Sequence, residues 1–279
     1  MSSTDQVMSA EARGEVPPRG RLIGRKVLEV GAGQQNYGLE DPPIGNGRAV
    51  SRLAAREGAQ VAIADRDEQA LDETRRILTD DGATPVTVIA DVSNPADVER
   101  MVREAHSGLG GLDGLVVNVG IAGGWAFDTT PDEWDLIFAV NVRAHFLACK
   151  HAAEVMPSDS SIVLVSSIAA HMPSNPLPSY HSSKAALHGL GSWLAKQLGE
   201  RRIRVNLIEP GRMDTSIGRL AARADPSRNA DKIPLGRQGT AWEVAYAAVF
   251  LLSGEASYIT AQSLVIDGGL MALRGGYEV

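Results

Sequence analysis

The sequence predicts an α/β domain built on a doubly wound parallel sheet of about seven strands, with helices on both faces. Three observations predict it: short apolar or β-branched runs alternate with stretches of helical period from Lys26 onward, glycines cluster directly after the first run, and no internal repeat or low-complexity tract interrupts the pattern. Such alternation marks βαβ units, which close right-handed and produce parallel sheets. At 279 residues, one α/β domain plus a short tail is the economical division.

Residues 1–20 are polar, carry the paired Pro17 and Pro18 and have no apolar period, which predicts a flexible tail ahead of a domain over 21–279. KVLEV at 26–30 opens the sheet, and GRAVSRLAAREGA from Gly47 follows as a helix. QVAIA at 60–64 is a second strand, DEQALDETRRILTDDGA a second helix and TPVTVIA a third strand. Next come a strand at 115–119, a long helix around 131–156, a strand at 161–165, a helix over 179–198 and a strand at 203–208. A polar, Arg-rich segment over 213–238 breaks the rhythm before a last helix at 241–252 and a last strand at 263–266.

Composition narrows the partners. With 44% hydrophobic and 22% charged residues the chain can bury a large core. A net charge of −7 leaves no basic field for a phosphate backbone, which argues against nucleic acid. Cys149 is the single cysteine, no basic segment followed by an apolar run opens the chain, and no apolar stretch approaches the ~20 residues that span a bilayer. A cytoplasmic protein without a membrane partner is the expectation.

In a sheet of this kind ligands bind beyond the carboxyl ends of the strands. Gly31 and Gly33 follow the first strand there, and Gly45, Asn46 and Gly47 open the next helix. Glycines let the backbone approach a pyrophosphate, whose charge the helix N-terminus stabilises. An ordinary turn has the same composition. Asp65 ends the second strand, where a carboxylate accepts from adenosine ribose hydroxyls and repels a 2′-phosphate. Arg66 beside it is able to tolerate that phosphate, and Asp65 can instead cap the next helix, as can Asp67; on balance the charges favour NAD over NADP. Tyr180 and Lys184 in Y-H-S-S-K stand at i and i+4, on one face of a predicted helix.

Taken together, these residues make the chain resemble the short-chain dehydrogenase/reductase family from about Lys26 to Gly269. The family's TGxxxGxG is similar to Gly31, Gly45 and Gly47, with Val30 in place of Thr and with 14 positions from Gly31 to Gly45 where the motif has 4. The extra QQNYGLEDPPI segment is either a tolerated surface insertion or a flap over the cofactor. Asp91 in IADVS, with Val92 beside it, resembles the adenine-contacting position. The family's NNAG reads Val117-Asn118-Val119-Gly120, so Asn118 and Gly120 match while apolar packing is expected to replace the bracing by the missing Asn. Ser167 precedes Tyr180 by 13 positions, as in the family, and Asn141 resembles the fourth member of the catalytic set Asn141, Ser167, Tyr180 and Lys184. Pro210-Gly211-Arg212-Met213-Asp214-Thr215 is similar to PGxxxT, which meets the nicotinamide carboxamide through Pro210, Gly211, Met213 and Thr215.

The resemblance implies a single Rossmann-like domain, a nicotinamide cofactor and hydride transfer between NAD(H) and a secondary alcohol or ketone. Tyr180 is then the general acid/base, and moving a phenol from pKa about 10 to about 7 requires roughly 4 kcal/mol of phenolate stabilisation, which positive charge at Lys184 would supply. Ser167 would donate to the developing carbonyl oxygen. Lys184 would also hold the nicotinamide ribose, and Asn141 would position a proton-relaying water. A substrate lid is expected over 213–238, whose Arg219, Arg223 and Arg228 either meet an anionic group or form a solvated face, and Trp125, His171, Met172 and Met213 are candidates for a mixed, rather apolar substrate pocket. Six histidines without metal-ligand spacing predict no catalytic metal. A homotetramer, or failing that a homodimer, is implied by the YITAQSLVIDGG end. An NADPH-dependent 3-oxoacyl-thioester reductase and a non-catalytic nucleotide-sensing protein are the alternative readings.

Overall fold

A computed structural model describes residues 8–172, 176–224 and 233–273. Seven parallel strands form the central sheet: β1 (Lys26–Val30), β2 (Gln60–Asp65), β3 (Val86–Ile89), β4 (Gly114–Val117), β5 (Ser161–Val165), β6 (Arg204–Pro210) and β7 (Ser263–Ile266), in the order β3-β2-β1-β4-β5-β6-β7. The order reverses between β1 and β4, where Val30 lies opposite both Ala64 and Val117. That switch point opens a crevice beyond the carboxyl ends of the strands.

Helices cover both faces, so β4 and β5 are buried along their whole length and read as unbroken runs rather than alternating ones. On one face α1 (Asn46–Arg56), α2 (Glu68–Asp80) and α8 (Ala241–Leu252) pack around Val27, Val61 and Ile63. On the other, α3 (Pro95–Leu109), α5 (Ala144–Val155) and α6 (Pro178–Leu198) pack around Leu28, Val30 and Leu115. Val117, standing where the related motif has Asn, is fully buried in this second apolar layer. Cys149 lies there too, and burial pushes its thiol up to about 12, so it holds no thiolate for chemistry near neutral pH.

Local signals explain most boundaries. Asn94 caps α3 ahead of Pro95, and Gly110 closes it in the left-handed region. Capping boxes Thr130/Glu133 and Thr240/Glu243 open α4 (Pro131–Phe138) and α8.

Four features depart from the pattern read in sequence. The segment expected as one helix over 131–156 contains a π turn at Ala139–Arg143, with Asn141 at its centre. The element α3 lies between the strands expected at 84–90 and 115–119. The predicted lid contains α7 (Ser216–Ala224), and the two-residue strands Met213–Asp214 and Gly239–Thr240 pair across its base; residues 225–232, Arg228 included, lie outside the described residues. Finally, the segment expected as a flexible tail is packed from its helical turn Ala10–Arg13 onward: Ala12 is buried, the Thr240 hydroxyl donates to Ala12 O at 2.7 Å, and Glu57 accepts from the Arg19 and Arg21 backbone N–H groups at 3.0 Å each. These anchors come from residues 36 to 228 positions away, which is why local composition misses them.

Candidate active site

A cleft of about 470 Å³ lies over the switch point, within the range of ligand-binding sites. Its wall contains every residue expected to hold a cofactor: Gly31, Gly33, Gly45, Asn46, Gly47, Asp65, Arg66, Asp91, Val92, Asn118, Gly120, Tyr180, Lys184, Pro210, Gly211, Met213 and Thr215. Ser167 and Met172 line it as well, whereas Trp125, Asn141 and His171 are not part of the wall.

At the nucleotide end the glycines are required by space. Gly31 has φ +97°, and a Cβ on it would stand 2.8 Å from Val119 N; a Cβ on Gly47 would stand 2.0 Å from Gly31 O. Asn118 fixes this contact by donating from Nδ2 to Gly31 O at 3.1 Å. The helix α1 starts at Gly45 without a side-chain cap, so its first N–H groups face the cleft. A cradle that any side chain would fill, closed by an uncapped helix N-terminus, fits the pyrophosphate of a dinucleotide. Asp65 accepts from Gly33 N at 2.9 Å and from Asp67 N at 3.1 Å, which pins its carboxylate against the loop with acceptor capacity to spare. Helix capping falls to Asp67, which accepts from Ala70 N at 2.9 Å. Asp91 accepts from Ser93 N at 2.9 Å and leaves the capping of α3 to Asn94.

The inserted segment is tied down on both sides of the cleft. Gln34 Oε1 accepts from Gly45 N at 2.7 Å and Gln35 Nε2 donates to Asp67 Oδ2 at 2.5 Å, while the α7 residues Ser216 and Arg219 donate to Pro43 O and Asp41 O, each at 3.4 Å. Gln34, Gln35 and Tyr37 stand in the cleft wall. The loop therefore bridges the adenosine end and the lid helix, an arrangement of a flap rather than of a surface bulge. Deleting 35–44 leaves three residues between Gly31 and Gly45 and is expected to weaken NADH binding about tenfold, or 1.4 kcal/mol; calorimetry on a folded deletion variant checks it, and unchanged affinity would return the segment to a passive insertion.

At the chemical end, the turn after β5 and the first turns of α6 converge. Ser167 opens a 3-10 turn, accepting from Ala169 N at 3.1 Å. Lys184 is buried, donates from Nζ to Val165 O at 2.9 Å, and lies 5.8 Å from the centre of the Tyr180 ring. Burial lowers its pKa to about 8, so it keeps most of its charge at pH 7. A Cβ on Gly120 would come 3.1 Å from that ammonium, so the lysine needs a bare backbone beside it.

Asn141 is behind the wall. Its Oδ1 accepts from Ile121 N at 2.9 Å, and Nδ2 donates to Ile121 O at 2.9 Å and to Ser183 Oγ at 3.0 Å. Ser183 Oγ in turn donates to Tyr180 O at 2.8 Å, and Ser166 Oγ donates to Lys184 O at 3.0 Å. Reading the sequence by motif singled out neither serine. Their only local signal is a small hydroxyl residue beside each expected catalytic one, too common to act on alone.

The substrate end is apolar, with Met172, Leu177, Ile217, Ala221 and Leu270 in the wall. Trp125 is 61% exposed, and His171 faces Glu209 at 2.9 Å instead. Of the lid arginines, Arg219 is paired with Asp214 at 2.6 Å and Arg223 is exposed. The pair lies at the surface and occupies the Arg219 guanidinium within the chain.

Comparison with known proteins places this geometry among oxidoreductases. A family model described as enoyl-(acyl carrier protein) reductase matches residues 44–271. The chain is 35% identical over 238 residues to 2-(S)-hydroxypropyl-CoM dehydrogenase 3 of Xanthobacter autotrophicus, covering 82% of this chain and 93% of that one. It is 33% identical to glucose 1-dehydrogenase of Gluconobacter oxydans, covering 94% and 97%. Among solved structures, a short-chain dehydrogenase/reductase from Serratia marcescens superposes with TM-score 0.79 at 32% identity, covering 90% and 99%. A blue fluorescent protein from a metagenomic library, in complex with NADPH, superposes with TM-score 0.80 at 29% identity, covering 90% and 99%.

Proposed function

Because the chain belongs to the short-chain dehydrogenase/reductase family, whose members bind a nicotinamide cofactor, we propose that it transfers hydride between NAD(H) and a secondary alcohol or ketone, with Tyr180 as the proton-transfer group. The observation that carries this reading is the convergence of Ser167, Tyr180 and a buried, charged Lys184 on a cleft whose wall also carries the apolar Met172, Leu177 and Ile217. When bound, the nicotinamide ring supplies the hydride acceptor for oxidation and the donor for reduction.

The chain's own residues do the rest. Ser167 and Tyr180 hold the substrate oxygen between two hydroxyl groups. In oxidation the hydroxyl proton passes to the Tyr180 oxygen as the C=O bond forms, and in reduction Tyr180 returns it. The Lys184 ammonium favours the phenolate by charge, and Ser167 donates to the oxygen as carbonyl character develops. Asn141 acts as a positioning residue: its amide pairs with both backbone groups of Ile121 and, through Ser183, holds the backbone of the turn that carries Tyr180. Thr215 accepts from Gly218 N at 3.2 Å, which leaves its hydroxyl proton available for the carboxamide. A panel of secondary alcohols and ketones read by NADH absorbance tests the reaction; no turnover with any member would sink it.

The preference for NAD rests on charge. Around the adenosine edge stand Asp65, Asp67, Asp91 and Asp97, and Arg100 is committed to Asp97, Glu104 and Ile89 O. Arg66 is the other cation lining this edge, against those four carboxylates. NADH is expected to bind at least about tenfold more tightly than NADPH; a tighter NADPH complex by calorimetry would overturn the assignment. The carrier-bound thioester reading is weaker, since the lid-side cations Arg219 and Arg237 are spent on Asp214 and Glu243. Assembly as a homotetramer or homodimer is supported by the half-exposed edge strand β7 and by an exposed aromatic pair, Phe146 of α5 and Trp193 of α6, 6.4 Å apart. No described helix is long and apolar enough to cross a membrane.

A further inference from the structure

His171 and His188 converge on one carboxylate. Nε2 of His171 lies 2.9 Å from Glu209 Oε2 and Nε2 of His188 lies 3.0 Å from Oε1, with the rings edge to face 4.7 Å apart. One ligand atom from each residue falls within 4.8 Å of the other two. Glu209 is fully buried, and the bond to His171 accounts for only one of its oxygens. Among the described residues Oε1 has no hydrogen-bond partner, nor does His188 Nε2, although the two buried atoms are 3.0 Å apart. Their approach is close in distance but not aligned as a hydrogen bond. A carboxylate oxygen and a ring nitrogen so placed are costly to bury unless something joins them.

We propose that His171, His188 and Glu209 form a site for a borderline divalent cation of the Zn²⁺ type, separate from the cleft. Two imidazoles and a carboxylate are the donor set such ions take, and around a tetrahedral ion with bonds of about 2.0–2.2 Å the donor atoms stand about 3.3 Å apart. The imidazole nitrogens stand 2.9 and 3.0 Å from separate oxygens of Glu209 and the three donor atoms lie within 4.8 Å of one another, so closing on one ion takes side-chain rotations that draw the widest pair in by up to about 1.5 Å. The His171 side chain is 42% exposed, which gives the ion an entry path and room for a water ligand.

The site's position gives it a role. His171 follows Ser167 on the same turn, His188 stands one helical turn beyond Lys184, and Glu209 directly precedes Pro210. One ion would clamp the serine turn, the tyrosine–lysine helix and the nicotinamide strand to each other from behind, without touching substrate. Histidine spacing in the sequence gives no sign of it, because the donors come from three separate elements.

The test reads metal uptake, so it does not depend on the reaction proposed above. Protein without an affinity tag is stripped with a chelator and titrated with ZnCl2 by calorimetry, and with CoCl2 by visible absorption. The expected result is about one equivalent bound, a tetrahedral Co²⁺ band and a higher melting temperature with Zn²⁺. His171→Ala removes a half-exposed ligand and leaves the core intact; it should weaken uptake more than about tenfold, and Glu209→Gln should do the same. No saturable uptake by the unsubstituted protein, or wild-type uptake by folded His171→Ala, would overturn the site and leave a carboxylate shared between two imidazoles.

Discussion

Tyr180→Phe is expected to reduce turnover by at least about a hundredfold to ten-thousandfold while NADH affinity changes by no more than about twofold. The substitution removes one hydroxyl and keeps the ring, so the edge contact with His181, 6.3 Å between centroids, and the packing beside Lys184 persist. What disappears is the proposed acceptor for the alcohol proton, and no other described side chain of the wall combines a titratable hydroxyl with a buried cation beside it. Lys184 and the glycine cradle, the proposed cofactor contacts, are unchanged by the substitution. Single-turnover rates together with NADH fluorescence titration separate the two effects. Activity close to that of the unsubstituted enzyme would sink the assignment of Tyr180.

The second large effect concerns stability. Glu29 stands in the middle of β1, paired with Ile63 and Val116, and is fully buried with no hydrogen-bond partner for either carboxylate oxygen among the described residues. Burial pushes its pKa well above the ordinary 4.5. An unfolded chain releases this proton near pH 4.5, whereas the folded chain retains it to higher pH, so the native state binds more protons in between. Stability is therefore unaffected below about pH 4.5 and falls as pH rises toward the folded pKa. Glu29→Val, which suits a strand interior, should remove the cost of a buried unpaired polar group, about 1–3 kcal/mol at pH 7, and raise Tm by several degrees. Glu29→Gln should flatten the pH slope without the full gain, because its amide remains buried and unpaired. Denaturant unfolding between pH 5 and pH 8 checks both; a variant no more stable than the parent at pH 7 would mean that the carboxyl finds a partner in solution.

The segments of the fold most legible in sequence are those that carry their own signal. Strands such as SIVLV and the cap Asp67 are local statements, and each appears where its pattern sets it. The π turn at Asn141 does not, because AVNVR continues a helical period; only the pull of Ile121 and Ser183 on the Asn141 amide distinguishes it. The packed N-terminal segment is illegible for a similar reason. Its polar composition describes a tail, while its anchors, Glu57 and Thr240, are distant in sequence.

The sequence by itself determined the α/β class, the glycine cradle, the acidic residue at the end of β2 and the Tyr180–Lys184 pair, because periodicity and i to i+4 spacing are properties of neighbours. Only the tertiary structure decided that the long loop reaches the lid helix, that Trp125 and His171 stand outside the cleft wall, and that His171, His188 and Glu209 meet. Those outcomes depend on which strand lies beside which and on where a side chain turns once its neighbours have filled the space. No pattern confined to one stretch of chain encodes that.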